Sequence, residues 1–287
     1  MKYTNKLNLP EVFNKIAEKR EEKQIVDNRY SVTELLDSTQ EIKLKRKYWN
    51  NIEIDISDTI TALFGSAVHK VFEENSNPEE SEVKLEVQFG ENTVVGVIDH
   101  VKDDLIEDYK TTSVSKVMKK DFKEHENQIL IYALLRFKKF GVITRRGKLY
   151  YLMKDYSKVK AQSSSNYTQS PIYIHEFEIK DSDYDYIEKM INNKLKELNS
   201  EFIPNCTDEE RWYTGTEYAV YKNVTDKRAS LVTDNEQEAH DFITNKCNGS
   251  GEIKVRKGKY LKCELYCNCN KFCDQWRKEE NDVIWPS

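Results

Sequence analysis

Two carboxylates and an ammonium group recur within a short stretch of this chain, in the runs Gly96-Val97-Ile98-Asp99 and Asp108-Tyr109-Lys110-Thr111. Acids held close together repel unless a cation lies between them. A hard divalent ion such as Mg²⁺ binds through one or two carboxylates and keeps positions open for phosphate oxygens. A lysine beside it orients water or offsets the charge that develops on a scissile phosphate. These residue types therefore suit metal-assisted hydrolysis of a phosphodiester, with Asp99, Asp108 and Lys110 as candidate catalytic groups.

The elements that must position them can be read from the pattern. Val94 to Val101 is apolar and β-branched, and Leu105 to Thr111 resumes after Lys102-Asp103-Asp104, so the spacing predicts a hairpin. With Asp103-Asp104 as a two-residue turn, Asp99 falls directly opposite Asp108, with facing Cβ atoms roughly 4.5–5.5 Å apart. Alternation along the strand puts Asp108 and Lys110 on one face. The plainer alternative is a solvated polar strand, which an Asp-x-Lys triplet alone does not exclude.

Two helical segments flank the hairpin. Ser57 to Asn75 reads as a helix with Ser57 or Asp58 as N-cap and Leu63, Phe64, Ala67, Val68, Val71 and Phe72 as its apolar positions. It carries His69, with Gly65 one turn earlier. Glycine inside a helix costs roughly 1 kcal/mol relative to alanine, which points to close packing or to substrate approach beside the histidine. The second helix, Glu124 to Phe140, sets Gln128 and Tyr132 on one face and lets Ile129, Ala133, Leu134, Phe137 and Phe140 pack inward.

Taken in order, Gly65-x-x-x-His69, Gly96-Val97-Ile98-Asp99, Asp108-Tyr109-Lys110-Thr111 and Gln128-x-x-x-Tyr132 resemble the motifs of the PD-(D/E)XK nuclease superfamily, specifically its RecB/AddB-like exonuclease branch. Ser31-Val32-Thr33-Glu34-Leu35-Leu36 is similar to the opening helix of that branch. The resemblance implies an α/β, restriction-endonuclease-like core: a mixed central sheet flanked by helices. It also implies that His69, Asp99, Asp108 and the backbone carbonyl of Tyr109 hold Mg²⁺ or Mn²⁺. Lys110 would position or activate water, and Gln128 and Tyr132 would support the site and contact the DNA backbone. Glu86, on the strand Lys84 to Phe89, resembles a recurrent acidic position of the family and is expected in a supporting role.

Length and charge set bounds. A chain of 287 residues can bury a full core in one large or two modest domains. Its net charge of −5 gives no general attraction to nucleic acid. A local basic track is offered by Lys116, Lys119, Lys120 and Lys123, and by Arg136, Lys138, Lys139, Arg145, Arg146 and Lys148, although such runs are commonly just solvated faces. No run approaches the roughly twenty apolar residues of a membrane span, and the N-terminus lacks a signal-peptide core, so a cytoplasmic protein with no membrane partner is expected.

Glu11 to Lys23 and Ser31 to Trp49 read as helices, Lys148 to Lys154 and Ile172 to Ile179 as strands, Ala161 to Ser170 as a polar loop, and Ser182 to Leu198 as a helix. The character changes after Phe202-Ile203-Pro204. This predicts a nuclease core with N-terminal helices over 1–203 and a small α+β cysteine-rich module over 204–287. In that module Glu217 to Lys222, Arg228 to Val232 and Glu252 to Lys257 read as strands and Glu236 to Asn245 as a helix.

Cys263, Cys267, Cys269 and Cys273 crowd the end of the module. In a reducing compartment thiolates so spaced, completed by Cys206 or Cys247, suit a tetrahedral Zn²⁺ site or an iron-sulfur cluster; thiols without metal are the alternative. Several RecB/AddB-like nucleases carry a 4Fe-4S cluster on three close C-terminal cysteines and one cysteine before the core. Cys267-x5-Cys273 matches that pattern, Cys263-x3-Cys267 is one residue longer, and no cysteine stands near Asp37-Ser38-Thr39. Cys206 is the expected replacement. The candidate ligands of a 4Fe-4S cluster or Zn²⁺ are then Cys206, Cys263, Cys267 and Cys273.

The leading expectation is a divalent-metal-dependent DNA nuclease, an exonuclease acting on DNA ends or single strands in recombination, repair or phage DNA metabolism. No Gly-x-x-x-x-Gly-Lys-Ser/Thr loop occurs, so any unwinding would come from a separate helicase or recombinase partner. Two rivals stand: a catalytically inactive nucleic-acid-binding or assembly protein that keeps the fold, and a structural protein whose cysteine module is the working part. Facing carboxylates favour the enzyme, because a binding module has no need of them.

Overall fold

Strands dominate the middle of the chain because β-branched and aromatic residues alternate there with polar ones. The computed structural model describes residues 1–21, 25–223, 225–247 and 249–282. It divides into two units, Met1–Ile203 and Pro204–Ser287.

The first unit opens with β1 (Lys2–Thr4), α1 (Glu11–Glu21), β2 (Arg29–Ser31), α2 (Val32–Leu35), α3 (Thr39–Lys47) and β3 (Glu53–Asp55). Next come α4 (Ile60–Asn75), β4 (Ser81–Phe89), β5 (Asn92–Lys102), β6 (Leu105–Thr112), α5 (Val114–Lys119) and α6 (Lys123–Phe140). It closes with β7 (Arg146–Met153), α7 (Lys158–Ser163), β8 (Ile172–Glu178) and α8 (Asp181–Asn199). Among the described residues the main sheet runs β2-β5-β6-β7-β8, with β4 also paired to β5. The pairs β4/β5, β5/β6 and β7/β8 are antiparallel, whereas β2/β5 and β6/β7 are parallel. The result is the expected α/β architecture, a mixed central sheet flanked by helices.

The core lies between this sheet and α6 and α8. Ile129, Ile131, Leu134 and Leu135 of α6 pack with Val94, Ile98, Ile106 and Leu149 of the strands, and α8 adds Ile187, Ile191 and Leu195. Each such side chain contributes about 1.5–3 kcal/mol on burial. Phe137 and Phe140, expected inward, are exposed. Gly141 then stops the helix at φ 70°, its N–H reaching Phe137 O at 2.8 Å.

The single helix expected over Ser31 to Trp49 is instead two. Ser31 and Glu34 form a capping box on α2, and Ser38 caps α3 by accepting the Glu41 N–H at 3.2 Å. Two serine caps satisfy N–H groups that a continuous helix would have paired internally, so the chain can turn at Leu36–Ser38. The loop expected over Ala161 to Ser170 begins as the end of α7, capped by Ser157. Lys23, the expected end of the first helix, lies outside the described residues.

The second unit contains β9 (Glu217–Tyr221), β10 (Leu231–Thr233), α9 (Glu236–Lys246), β11 (Glu252–Arg256) and α10 (Asp274–Asp282). Its strands pair antiparallel in the order β10-β9-β11, and Ala219, Val220 and Ala239 are buried. No helix among the described residues is long and apolar enough to cross a membrane.

Candidate active site

The site forms where one strand leaves another. Along one edge of β5, β2 covers Thr93 to Val95 and β6 covers only His100 to Lys102, so the stretch from Gly96 to Asp99 faces a gap. The expected ladder pair between Asp99 and Asp108 does not form. Pairing ends at His100↔Glu107, because β6 follows β7 over its whole length, from Leu105↔Arg146 to Thr112↔Met153. Across the gap, Asp99 Oδ2 accepts the Tyr109 N–H at 2.9 Å.

Asp108 is only 2% exposed. Lys110 Nζ pairs with its Oδ2 at 2.8 Å. Burial pushes the Asp108 carboxyl above the ordinary carboxylate range; Lys110 opposes the rise and the Asp99 charge adds to it. Lys110 Nζ also donates to Gln128 Oε1 at 2.9 Å, and Gln128 Nε2 donates to Tyr132 Oη at 3.0 Å. Burial pushes the Tyr132 phenol far up, so it stays protonated. Gly96 makes room for that ring: a Cβ there would meet Tyr132 Cε1 at 2.7 Å and Val32 Cγ2 at 2.8 Å.

His69 reaches the site from α4, its Nδ1 3.2 Å from Asp99 Oδ2. That hydrogen bond raises the imidazole pKa against the opposing effect of burial. Phe72, one turn later, stacks on Tyr109 with centroids 4.1 Å apart and so ties α4 to β6. The helix differs from expectation in three ways. Asp55, not Ser57 or Asp58, caps the preceding 3₁₀ turn (Ile56–Thr59). None of the apolar residues of α4 is buried, and Phe64 and Val71 are exposed, because the helix touches the sheet chiefly at its β6 side. A Cβ on Gly65 would lie 3.5 Å from Thr111 Oγ1, an ordinary contact, so internal packing does not require glycine there.

Glu86 does not support the site: it is exposed and ion-paired with Arg29 at 2.5 Å. Of the basic track, Lys116 pairs with Asp121 at 3.3 Å, while Lys119, Lys120 and Lys123 are exposed. Sequence reasoning missed His125, whose Nδ1 lies 2.8 Å from the hydroxyl of fully buried Tyr151. Tyr151 is the β7 partner of Lys110, and burial, with help from Lys110 and Lys116, drives the His125 pKa down to about 3. The signal was its spacing: His125 precedes Gln128 by one helical turn and shares its face.

A profile of the PD-(D/E)XK nuclease superfamily matches residues 11–274. The chain belongs to this superfamily. No curated protein matches it. Among solved structures, SSO0001 is similar at 18% identity and a TM-score of 0.45, over 66% of this chain and 85% of that one. The alkaline exonuclease LHK-Exo from Laribacter hongkongensis is 10% identical, with a TM-score of 0.36 over 61% of this chain and 89% of its own. A phage-related exonuclease from Haemophilus somnus 129PT is 12% identical, with a TM-score of 0.28 over 42% and 59%.

Among the described residues of this superfamily member, no three His, Cys, Asp or Glu side chains converge as a ready metal cage. Around Asp99 and Asp108 the donors are instead turned toward each other and toward Lys110. The chemistry of the set still fits a hard cation: two carboxylates, one of them buried, and an imidazole.

One cysteine of the second unit stands beside a buried arginine. Arg211, 3% exposed, forks onto Glu279 at 2.8 and 2.7 Å, lies 3.4 Å over the Tyr260 ring and points Nε at Cys263 Sγ, 3.5 Å away. Burial pushes the Cys263 thiol up, Arg211 opposes, and Cys267 and Cys273 add to the rise. Cys267 Sγ is 3.5 Å from Cys269 Sγ, and the Trp276 N–H points at Cys273 Sγ at the same distance. Gln275 holds the Cys206 backbone through two bonds of 2.9 Å. Soft sulfur donors beside a buried cation suit an anionic thiolate-bound group. Cys269, outside the expected ligand set, is fully enclosed beside them.

Proposed function

We propose that this superfamily member is a cytoplasmic, divalent-metal-dependent DNA nuclease of the RecB/AddB-like type, acting on DNA ends or single strands in recombination, repair or phage DNA metabolism. The observation that carries the reading is Asp108, a buried carboxylate paired with Lys110 at 2.8 Å, at the gap where β6 leaves β5. Taking a carboxylate out of water costs several kcal/mol, which a single ion pair does not reliably repay. A chain that keeps such a group has a use for it.

Asp99, Asp108, His69 and the backbone carbonyl of Tyr109 are the groups that would hold Mg²⁺ or Mn²⁺. Such an ion polarises a phosphodiester and makes water a nucleophile near neutral pH. The chain's own residues do the rest. Lys110, held by Gln128, orients the attacking water and offsets charge developing on the phosphate. Tyr132 fixes the amide of Gln128, so that its oxygen and not its nitrogen faces the ammonium group. His69, whose hydrogen bond to Asp99 favours its protonated form, would have to be neutral to hold the ion. Unwinding, where needed, comes from a separate helicase or recombinase.

The test is a single series with end-labelled and circular, single- and double-stranded DNA in Mg²⁺, Mn²⁺ or EDTA. The expected result is cleavage with either metal, none in EDTA, and none with Asp108→Ala or Lys110→Ala. Cleavage surviving EDTA or either substitution refutes the mechanism, and cleavage of circles refutes strict end dependence.

Cys206, Cys263, Cys267 and Cys273 are assigned to a 4Fe-4S cluster or Zn²⁺, on the strength of their spacing and of Arg211 beside Cys263. Iron, sulfide and zinc are to be measured per chain after anaerobic purification. Absence of all three removes this assignment without touching the nuclease reading.

A further inference from the structure

Two hydrogen bonds join α6 to the sheet side by side. Lys110 Nζ donates to Gln128 Oε1 at 2.9 Å, and Tyr151 Oη lies 2.8 Å from His125 Nδ1. Lys110 and Tyr151 are register partners on the parallel strands β6 and β7, about 4.8 Å apart, so their side chains leave the sheet on one face. His125 and Gln128 lie one helical turn apart on one face of α6. The imidazole is thereby set beside the ammonium group of Lys110, and that of Lys116 acts on it as well.

The hydrogen bonding decides which ring nitrogen carries the proton. Tyr151 is fully buried, and His125 Nδ1 is the one hydrogen-bond partner of its hydroxyl among the described residues. Burial pushes the phenol pKa far up, so Tyr151 keeps its proton. Were Nδ1–H the donor, that enclosed O–H would have no acceptor, a costly state for a buried polar group. Tyr151 therefore donates to Nδ1, and the single proton of the neutral ring sits on Nε2. The ring stays neutral because burial, then Lys110 and Lys116, hold its pKa down at about 3 against the pull of Asp121.

His125 is partly exposed, and its Nε2 makes no hydrogen bond among the described residues. An uncharged N–H donor thus stands open between two lysines. The acids around it are engaged elsewhere: Asp108 with Lys110 at 2.8 Å, Asp121 with Lys116 at 3.3 Å and Glu126 with His175 at 2.7 Å. An open N–H flanked by ammonium groups is matched by an anionic oxygen, and a DNA strand offers one at every phosphate. We infer that His125 donates its Nε2–H to a phosphate of the DNA strand held at Lys110, in the tautomer that Tyr151 fixes. This rests on the nuclease reading proposed above.

The experiment measures, by fluorescence anisotropy, the affinity of the full chain for a short labelled single-stranded DNA, without added divalent metal and across a salt series. His125→Asn keeps an acceptor for Tyr151 near the place of Nδ1 and has no donor near that of Nε2. His125→Gln does the reverse, its amide N–H falling near the place of Nε2. The expected result is a Kd about tenfold weaker in His125→Asn and close to the wild-type value in His125→Gln. The lost donor is neutral, so the slope of log Kd against log salt stays that of the wild type, whereas loss of a cation lowers it by about one. For the same reason the ratio of the His125→Asn and wild-type Kd values stays constant between about pH 5 and 8. A purely structural role gives the opposite order of variants, because His125→Asn keeps the Tyr151 bond and His125→Gln breaks it. Wild-type affinity in His125→Asn, a loss shared equally by His125→Gln at an unchanged melting temperature, or a lowered salt slope overturns the inference and leaves the nuclease site standing. A wild type that binds no DNA overturns both.

Discussion

Asp99 accepts the backbone N–H of Tyr109 at 2.9 Å, in place of the ladder bonds that β6 gives up when it leaves β5. The same Oδ2 faces His69 Nδ1 at 3.2 Å, so one carboxylate both bridges two diverging strands and belongs to the candidate metal set. The two roles separate by substitution. Asp99→Asn keeps an oxygen for Tyr109 and loses the charge; Asp99→Ala loses both. Urea denaturation is expected to show Asp99→Ala less stable than Asp99→Asn by about 1–2 kcal/mol, while DNA cleavage is lost in both.

Asp108→Asn is expected to abolish cleavage and to raise thermal stability. The folded-state pKa of Asp108 lies above the ordinary 3.8. Its contribution is therefore fully present below that value and is lost as pH rises through the raised folded-state pKa. Asparagine does not titrate. The melting temperature of the variant, measured by calorimetry without metal, should gain on the wild type as pH rises from 3.8. An equal difference at all pH values would refute the claim.

Gly96→Ala places a Cβ 2.7 Å from the Tyr132 ring and 2.8 Å from Val32. A rigid ring in the core cannot yield cheaply, so a loss of about 1–3 kcal/mol is expected in denaturant titration. Cleavage should fall with it, because Tyr132 holds Gln128 and Gln128 holds Lys110.

Gln128→Leu removes the acceptor of Lys110 Nζ and the donor to Tyr132 Oη. A fall in the cleavage rate constant of about tenfold or more is expected, with KM for DNA much less affected. Single-turnover kinetics separates the two. A change confined to KM would make Gln128 a DNA-binding residue instead.

His125 is expected to make the fold acid-sensitive. Its pKa falls from 6.5 to about 3, so the neutral form is the native one. The stability it contributes is complete above 6.5 and is lost as pH falls toward 3. His125→Phe should flatten that part of the profile, at a cost of about 1–3 kcal/mol at neutral pH for the stranded Tyr151 hydroxyl. Unfolding free energies measured in steps across this range test it.

Much of this was legible in the residues. Asp103-Asp104 turns β5 into β6 in the expected register, with Lys102 paired to Leu105 and Asp103 at φ 51°. The ordered motifs pointed to the superfamily whose profile the chain matches. Glu86, expected in a supporting role, pairs with Arg29 instead, since strand periodicity says nothing about which glutamate of β4 meets an arginine. Nor does a helical wheel reveal that α4 buries none of its apolar residues, because burial needs a neighbour and not only a face.

The sequence by itself determined which side chains can act from one face, Asp108 with Lys110 and Gln128 with Tyr132, because the strand and helix periods are local properties of the backbone. The tertiary structure alone decided that β6 deserts β5 for β7 and that Asp108 is sealed from solvent. Those outcomes depend on competition among strands and on what packs above them. They arise from contacts between residues far apart in the chain, which no local pattern encodes.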